Sequence, residues 1–164
     1  KSIGTLLLNY DPVRRADLGF FRDGLDIITT DFEMPLKQIS VVATIEEYFE
    51  VRSASRGDSV NYPKLELSDE NIDFGKSSAD HPKFHTLSLY NRGVDVLNIR
   101  TIKSNCECVD WDLKKENIPG GDSTFLIIKF DPLNRKGRQF KNITLFTNDP
   151  LNSTRVISLK AQIP

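Results

Sequence analysis

Apolar and polar positions alternate with a period of two along much of the chain. Leu126, Ile128 and Phe130 alternate with Ile127 and Lys129, and Ile143, Leu145 and Thr147 with Thr144 and Phe146. Ile157, Leu159, Ala161 and Ile163 alternate with Ser158, Lys160 and Gln162. Shorter runs of the same kind are Leu65-Glu66-Leu67, Ile72-Asp73-Phe74, His85 to Tyr90 and Val96 to Arg100. A strand built this way buries one face and wets the other. Turn chemistry separates the runs at Asn91-Arg92-Gly93, Pro119-Gly120-Gly121-Asp122, Asp131-Pro132, Lys136-Gly137 and Asn148-Asp149-Pro150. Six or seven short strands in about 100 residues predict an all-β antiparallel sandwich. No dozen residues sustain a helical stripe. Thr44 to Val51 reads as extended, because its β-branched and aromatic residues suit a strand.

The same ladder occurs twice. Gly4 to Pro12 resembles Ser123 to Pro132, with Asp11-Pro12 matching Asp131-Pro132 and Arg15 matching Arg135 at an offset of 120. After single-residue gaps around a Phe21/Phe140 match, the offset becomes 118. There Thr29, Asp31, Ile39-Ser40, Ala43 and Ile45 match Thr147, Asp149, Ile157-Ser158, Ala161 and Ile163. Residues 1–50 therefore read as the C-terminal part of a first sandwich, 51–63 as a small, polar linker closing on Pro63, and 64–164 as a complete sandwich. Strands without their sandwich partners leave an apolar face and open edges, so residues 1–45 invite strand pairing with another chain. The reading adopted is that the missing front half belongs to the natural protein.

Composition narrows the function classes. The chain of 164 residues has 22 Lys+Arg against 23 Asp+Glu, which argues against a nucleic-acid partner. A mean hydropathy of −0.36 and apolar runs of no more than four residues predict no transmembrane span. The chain begins at Lys1 and its single Met is Met34, which reads as a processed or cropped product.

An ordered set of short motifs runs through residues 64–164: Asp73-Phe74-Gly75, Asn91-Arg92-Gly93, Leu97-Asn98-Ile99, Ser104-Asn105-Cys106-Glu107-Cys108, Trp111, Ile118-Pro119-Gly120-Gly121, Phe130-Asp131-Pro132, Phe140, Thr147-Asn148, and the closing Ile157, Leu159, Ala161 and Ile163. In this order the set resembles a bacterial immunoglobulin-like family, domain of unknown function 1573, common in Bacteroidetes. It is also similar to the wider Hydin-like and major-sperm-protein-like sandwiches. Glu107 and Val109 stand where the family usually has Gly and Thr, and Ala161 where it prefers Gly. The resemblance implies an immunoglobulin-like sandwich outside the cytoplasm, often secreted or lipid-anchored upstream. It carries over no catalytic residue and implies no cofactor.

One constellation invites chemistry. As residues i and i+2 of a strand, Cys106 and Cys108 would project to one face, within reach of one soft metal ion. His81 and His85 would complete a tetrahedral zinc set by count, though Cys-x-Cys is tighter than finger spacing and Pro82 places His81 in a loop. A disulfide across one residue is disfavoured on a strand, where the Cα atoms stand about 6.5–7 Å apart. The reading adopted is two reduced thiols packed near the sandwich end, with a metal site and a redox-active or disulfide pair as alternatives. Glu107 and Asp110 oppose an activated thiolate. Trp111 beside Asp110 and Asp112 reads first as a lid on the core, and alternatively as a stacking surface for a sugar. The expectation is a non-enzymatic interaction or structural module, binding a protein or cell-surface partner through loops or an edge strand.

Overall fold

The computed structural model describes residues 3–49 and 62–164, so most of the expected linker, residues 51–61, lies outside the described residues. The chain forms two compact units, Lys1–Glu46 and Glu47–Pro164.

The first unit contains α1 (Pro12–Arg15), a single turn capped by Asp11, and the strands β1 (Gly19–Ile28) and β2 (Leu36–Ile45). These two strands pair antiparallel over ten residues, from Gly19 opposite Ile45 to Ile28 opposite Leu36. Residues 3–10 carry strand-like alternation but adopt no regular structure.

Among the described residues, the second unit is a two-layered sandwich of nine strands: β3 (Leu65–Leu67), β4 (Asn71–Lys76), β5 (Lys83–Asn91), β6 (Leu97–Ser104), β7 (Val109–Leu113), β8 (Asn117–Ile118), β9 (Ser123–Phe130), β10 (Gly137–Thr147) and β11 (Thr154–Ile163). One sheet has the order β4-β11-β10-β6-β8 and the other β3-β5-β9-β7. All pairings are antiparallel except that of β4 with β11. No hairpin joins those two, so nothing local dictates their direction.

The predicted alternation becomes the core. Leu87 and Leu89 of β5, Leu126, Ile128 and Phe130 of β9, Ile143 and Leu145 of β10, and Ile157 and Ile163 of β11 are fully or almost fully buried between the layers. Phe74 stacks on Phe130 with ring centroids 5.9 Å apart. Burying side chains of this size is worth about 1.5–3 kcal/mol each, which is what holds the two sheets together.

Two buried polar side chains tie the layers' connections. Asn91 has no exposed surface. Its Oδ1 accepts from the N–H groups of Lys64 and Gly93, and its Nδ2 donates to the carbonyls of Asp95 and Ile118. The Asn-x-Gly turn and the Pro-Gly-Gly turn thereby meet at one side chain. Gly93 is required there, since a Cβ would lie 2.1 Å from the Tyr62 carbonyl oxygen. Asp149, equally buried, accepts from Leu151 and Asn152 through Oδ1 and from the N–H of Leu65 in β3 through Oδ2.

The hairpin β10–β11 pairs from Gly137 opposite Ile163 to Phe146 opposite Thr154, the same ten-residue ladder as β1–β2 displaced by 118 positions. That register corrects the expected Phe21/Phe140 match. Phe21 pairs with Ala43, and its counterpart is Gln139, which pairs with Ala161. Phe140 is one position on and faces outward, 63% exposed. A one-residue slip reverses the face of every side chain, so the two phenylalanines are not equivalent.

Candidate functional site

The β6–β7 connection carries the chain from one sheet to the other. β6 ends at Ser104, the backbone bends through Asn105 to Cys108, and β7 starts at Val109. Asn105 anchors the bend to β10: its N–H donates to the Asn142 carbonyl, and its side-chain oxygen accepts from the Asn142 N–H. Ser104 Oγ accepts from the Cys106 N–H, the Val109 N–H donates to the Cys106 carbonyl, and the Asp131 N–H donates to the Cys108 carbonyl.

Cys106 and Cys108 form a disulfide within this bend. The expectation of two reduced thiols on a strand is corrected. The cysteines occupy a turn, which brings their Cα atoms to 5.1 Å, inside the usual range for a bridge. Cys108 is buried against the core and Cys106 is half-buried. Bridged sulfurs are not thiolate ligands. His81 sits exposed in the β4–β5 loop, and His85 lies half-buried on β5 opposite Ile128. Among the described residues no group of three or more His, Cys, Asp and Glu is placed to hold a metal ion. The sequence missed this turn because Cys-x-Cys between alternating runs looks like more strand.

Trp111 is the middle residue of β7. It stands opposite Ile128, in the row that continues to His85, so it belongs to the inner face of its sheet. It packs against the core while remaining half-buried. The part not covered by the core lines a cleft of about 430 Å³ between β6 and β7, shared with Ile102, Leu113, Arg100, Asp112 and Glu116. The cleft exists because the edges of the two layers are both uncovered there. β7 is the last strand of its sheet, and β8 covers β6 only at Leu97 and Asn98.

The rim is charged, and its groups are largely engaged. Arg100 donates to both carboxylate oxygens of Glu47 at 2.9 Å. Lys114 pairs with Asp112, and Asp110 Oδ1 accepts from the Trp111 N–H, blunting the β7 edge with its own side chain. Elsewhere on the second unit, Arg92 hydrogen-bonds Glu66 and lies 4.6 Å from the centre of the Tyr90 ring. That hydrogen bond holds the Glu66 carboxyl below its usual range. No helix among the described residues is long and apolar enough to cross a membrane.

Among solved structures, the chain is similar to a protein of unknown function from Porphyromonas gingivalis W83, with 20% identity and a TM-score of 0.65 over 89% of this chain and 66% of that one. This chain thus spans just under two thirds of that protein. Lower similarity, with a TM-score of 0.47 and 12% identity over 72% of this chain and 98% of the other, is found to the ASH / PapD-like domain of human CEP192. The E. coli chaperone DraB matches at a TM-score of 0.44 and 12% identity, over 62% of this chain and 56% of that one. No curated protein matches. With the two-layered fold, the Asn-x-Gly and Pro-Gly-Gly turns and the Cys-x-Cys bend now placed, residues 65–163 match the family described as "Protein of unknown function (DUF1573)", and the chain belongs to that family.

Proposed function

We propose that this protein is a non-enzymatic, extracytoplasmic interaction module that receives an extended segment of a partner protein in the cleft between β6 and β7. The observation that carries this reading is the half-buried Trp111 lining an open cleft where both layers leave an edge uncovered. An aromatic ring held by the core on one side and open on the other gives a large contact area at low entropic cost. With Asp112 paired to Lys114, the Glu116 carboxylate on the rim favours a partner segment combining an apolar anchor with a basic residue. The Cys106–Cys108 bridge supports a location outside the cytoplasm, where disulfides form and persist.

Trp111 is the only tryptophan, so its fluorescence reports directly on the cleft. Titration with a panel of extended peptides, varying the apolar anchor and the neighbouring charge, is expected to shift the emission for apolar-basic members. The Trp111→Ala protein should lose the same binding by calorimetry. Equal binding by wild type and Trp111→Ala, or no response to any member, would refute the assignment.

A further inference from the structure

The two hairpins share more than register. In the loop of each, a threonine N–H closes onto the carbonyl six residues on, from Thr29 to Pro35 at 2.7 Å and from Thr147 to Ser153 at 2.8 Å. In each, one aspartate oxygen accepts two successive N–H groups, Glu33 and Met34 for Asp31, Leu151 and Asn152 for Asp149. Ahead of each hairpin the backbone turns left-handed at corresponding places, Ala16 (φ 52°) and Asn134 (φ 60°).

Three differences separate them, and all concern what covers the hairpin. Ile143 and Ile157 are fully buried, whereas their counterparts Leu25 and Ile39 are 37% and 41% exposed. The second oxygen of Asp149 accepts from the Leu65 N–H of β3, while that of Asp31 is held by Lys37 at 2.9 Å. Finally, β9 forms between β5 and β7, but residues 3–10, with the same alternation, have no flanking strand among the described residues. A strand needs neighbours for its backbone groups, and without them the pattern stays irregular.

We infer that the unit Lys1–Glu46 is a receptor for the front half of a sandwich of its own family: a polypeptide segment with the strand pattern of residues 64–122, joined so that it runs into residue 3 as residues 64–122 run into β9. Its first strand delivers a backbone N–H to the Asp31 carboxylate, displacing Lys37. Its middle strands flank residues 3–10, and its apolar face covers Leu25 and Ile39. A second copy of this chain does not supply the same fit. Lending its own residues 64–122 would uncover as much of its second unit as it covers of the first. Two β1–β2 hairpins packed face to face would hide Leu25 and Ile39, yet would offer Asp31 no N–H and residues 3–10 no flanking strand. The inference is independent of the β6–β7 cleft and stands or falls separately.

The test is a fusion that places a copy of residues 64–122 ahead of the whole chain, compared with the unfused chain by amide hydrogen exchange. Exchange at Leu25, Ile27, Ile39 and Val41 is expected to slow roughly a hundredfold or more in the fusion, as for residues entering a cooperative core. Binding of an apolar-surface dye should fall in parallel. Leu25→Lys with Ile39→Lys should abolish that protection in the fusion, and should leave the unfused chain's Trp111-reported unfolding unchanged. A fusion whose hairpin exchanges as fast as the unfused chain's would overturn the inference. So would an unfused chain that is already dimeric with these amides protected.

Discussion

Replacing Asp149 with alanine removes one side chain that holds three backbone N–H groups. Those of Leu151 and Asn152 lie in the hairpin loop, partly buried, where water can replace the lost acceptor. The Leu65 N–H is buried and has no such recourse. Hydrogen bonds to a charged acceptor contribute about 1.5–3 kcal/mol each, and a buried donor left unpaired costs about 1–3 kcal/mol. Against this, removal of a buried carboxylate recovers part of its desolvation cost. The net expectation is a loss of about 2–4 kcal/mol, weighted toward the Leu65 bond. For a domain near 100 residues that lowers the melting temperature by roughly 10–25 °C. Urea unfolding followed through Trp111 would measure it, with the slope against denaturant unchanged because the same surface is exposed. Asp31→Ala, which changes the equivalent loop of the other unit, should leave this Trp111-reported transition where it is. A loss below about 1 kcal/mol for Asp149→Ala, or an equal shift for Asp31→Ala, would refute the view that this carboxylate ties β3 to the hairpin.

Four further outcomes follow from the geometry. Closing a loop as short as Cys106–Cys108 is worth only about 1.5 kcal/mol by chain entropy, so the double Cys→Ser variant should stay folded with a loss of that order; a collapse of the fold would refute it. Alkylation followed by mass measurement should find no free thiol in the unreduced protein. Gly93→Ala should cost more than about 2 kcal/mol, because its Cβ meets backbone at Tyr62, Pro63 and Lys64, whereas Gly24→Ala, with open space around it, should be silent by thermal melting. Asp31 is held below the usual carboxylate range, first by its hydrogen bond to Lys37 and then by the Met34 and Glu33 N–H groups. A depressed native value means its contribution is complete above the ordinary carboxylate pKa and disappears as pH falls through the native one. A carboxyl NMR titration should show this low midpoint, and Lys37→Met should raise it; a midpoint unmoved by Lys37→Met would refute the ion pair.

The alternation of apolar residues was enough to place most strands, because burial on one face leaves a period-two trace in the sequence. It did not reveal β8, whose two residues are too short to show a period, nor single out β7, where Asp110 and Asp112 dilute the apolar trace. The turn motifs were legible as turns but not as clasps. The Asn91 side chain reaches Ile118, 27 positions away, and Asp149 reaches Leu65 across 84, distances that no local pattern encodes. The Cys-x-Cys bend was misread for a related reason. Its geometry is set by the Asn105–Asn142 contact and the crossing between layers, and neither is written in the spacing of the cysteines. Trp111 was expected over the core, and it does pack there, but the opening beside it depends on how little of β6 is covered by β8.

The disulfide bend and the Asn91 clasp lie at opposite ends of β6. With both poles of the sandwich pinned, neither layer can slide along the other. A sideways parting of β6 from β7, which are not paired with each other, would leave the β10–β11 and β5–β9 ladders unchanged. A segment received in this cleft, as proposed, would therefore act like a wedge entering a seam, widening it without disturbing the body behind.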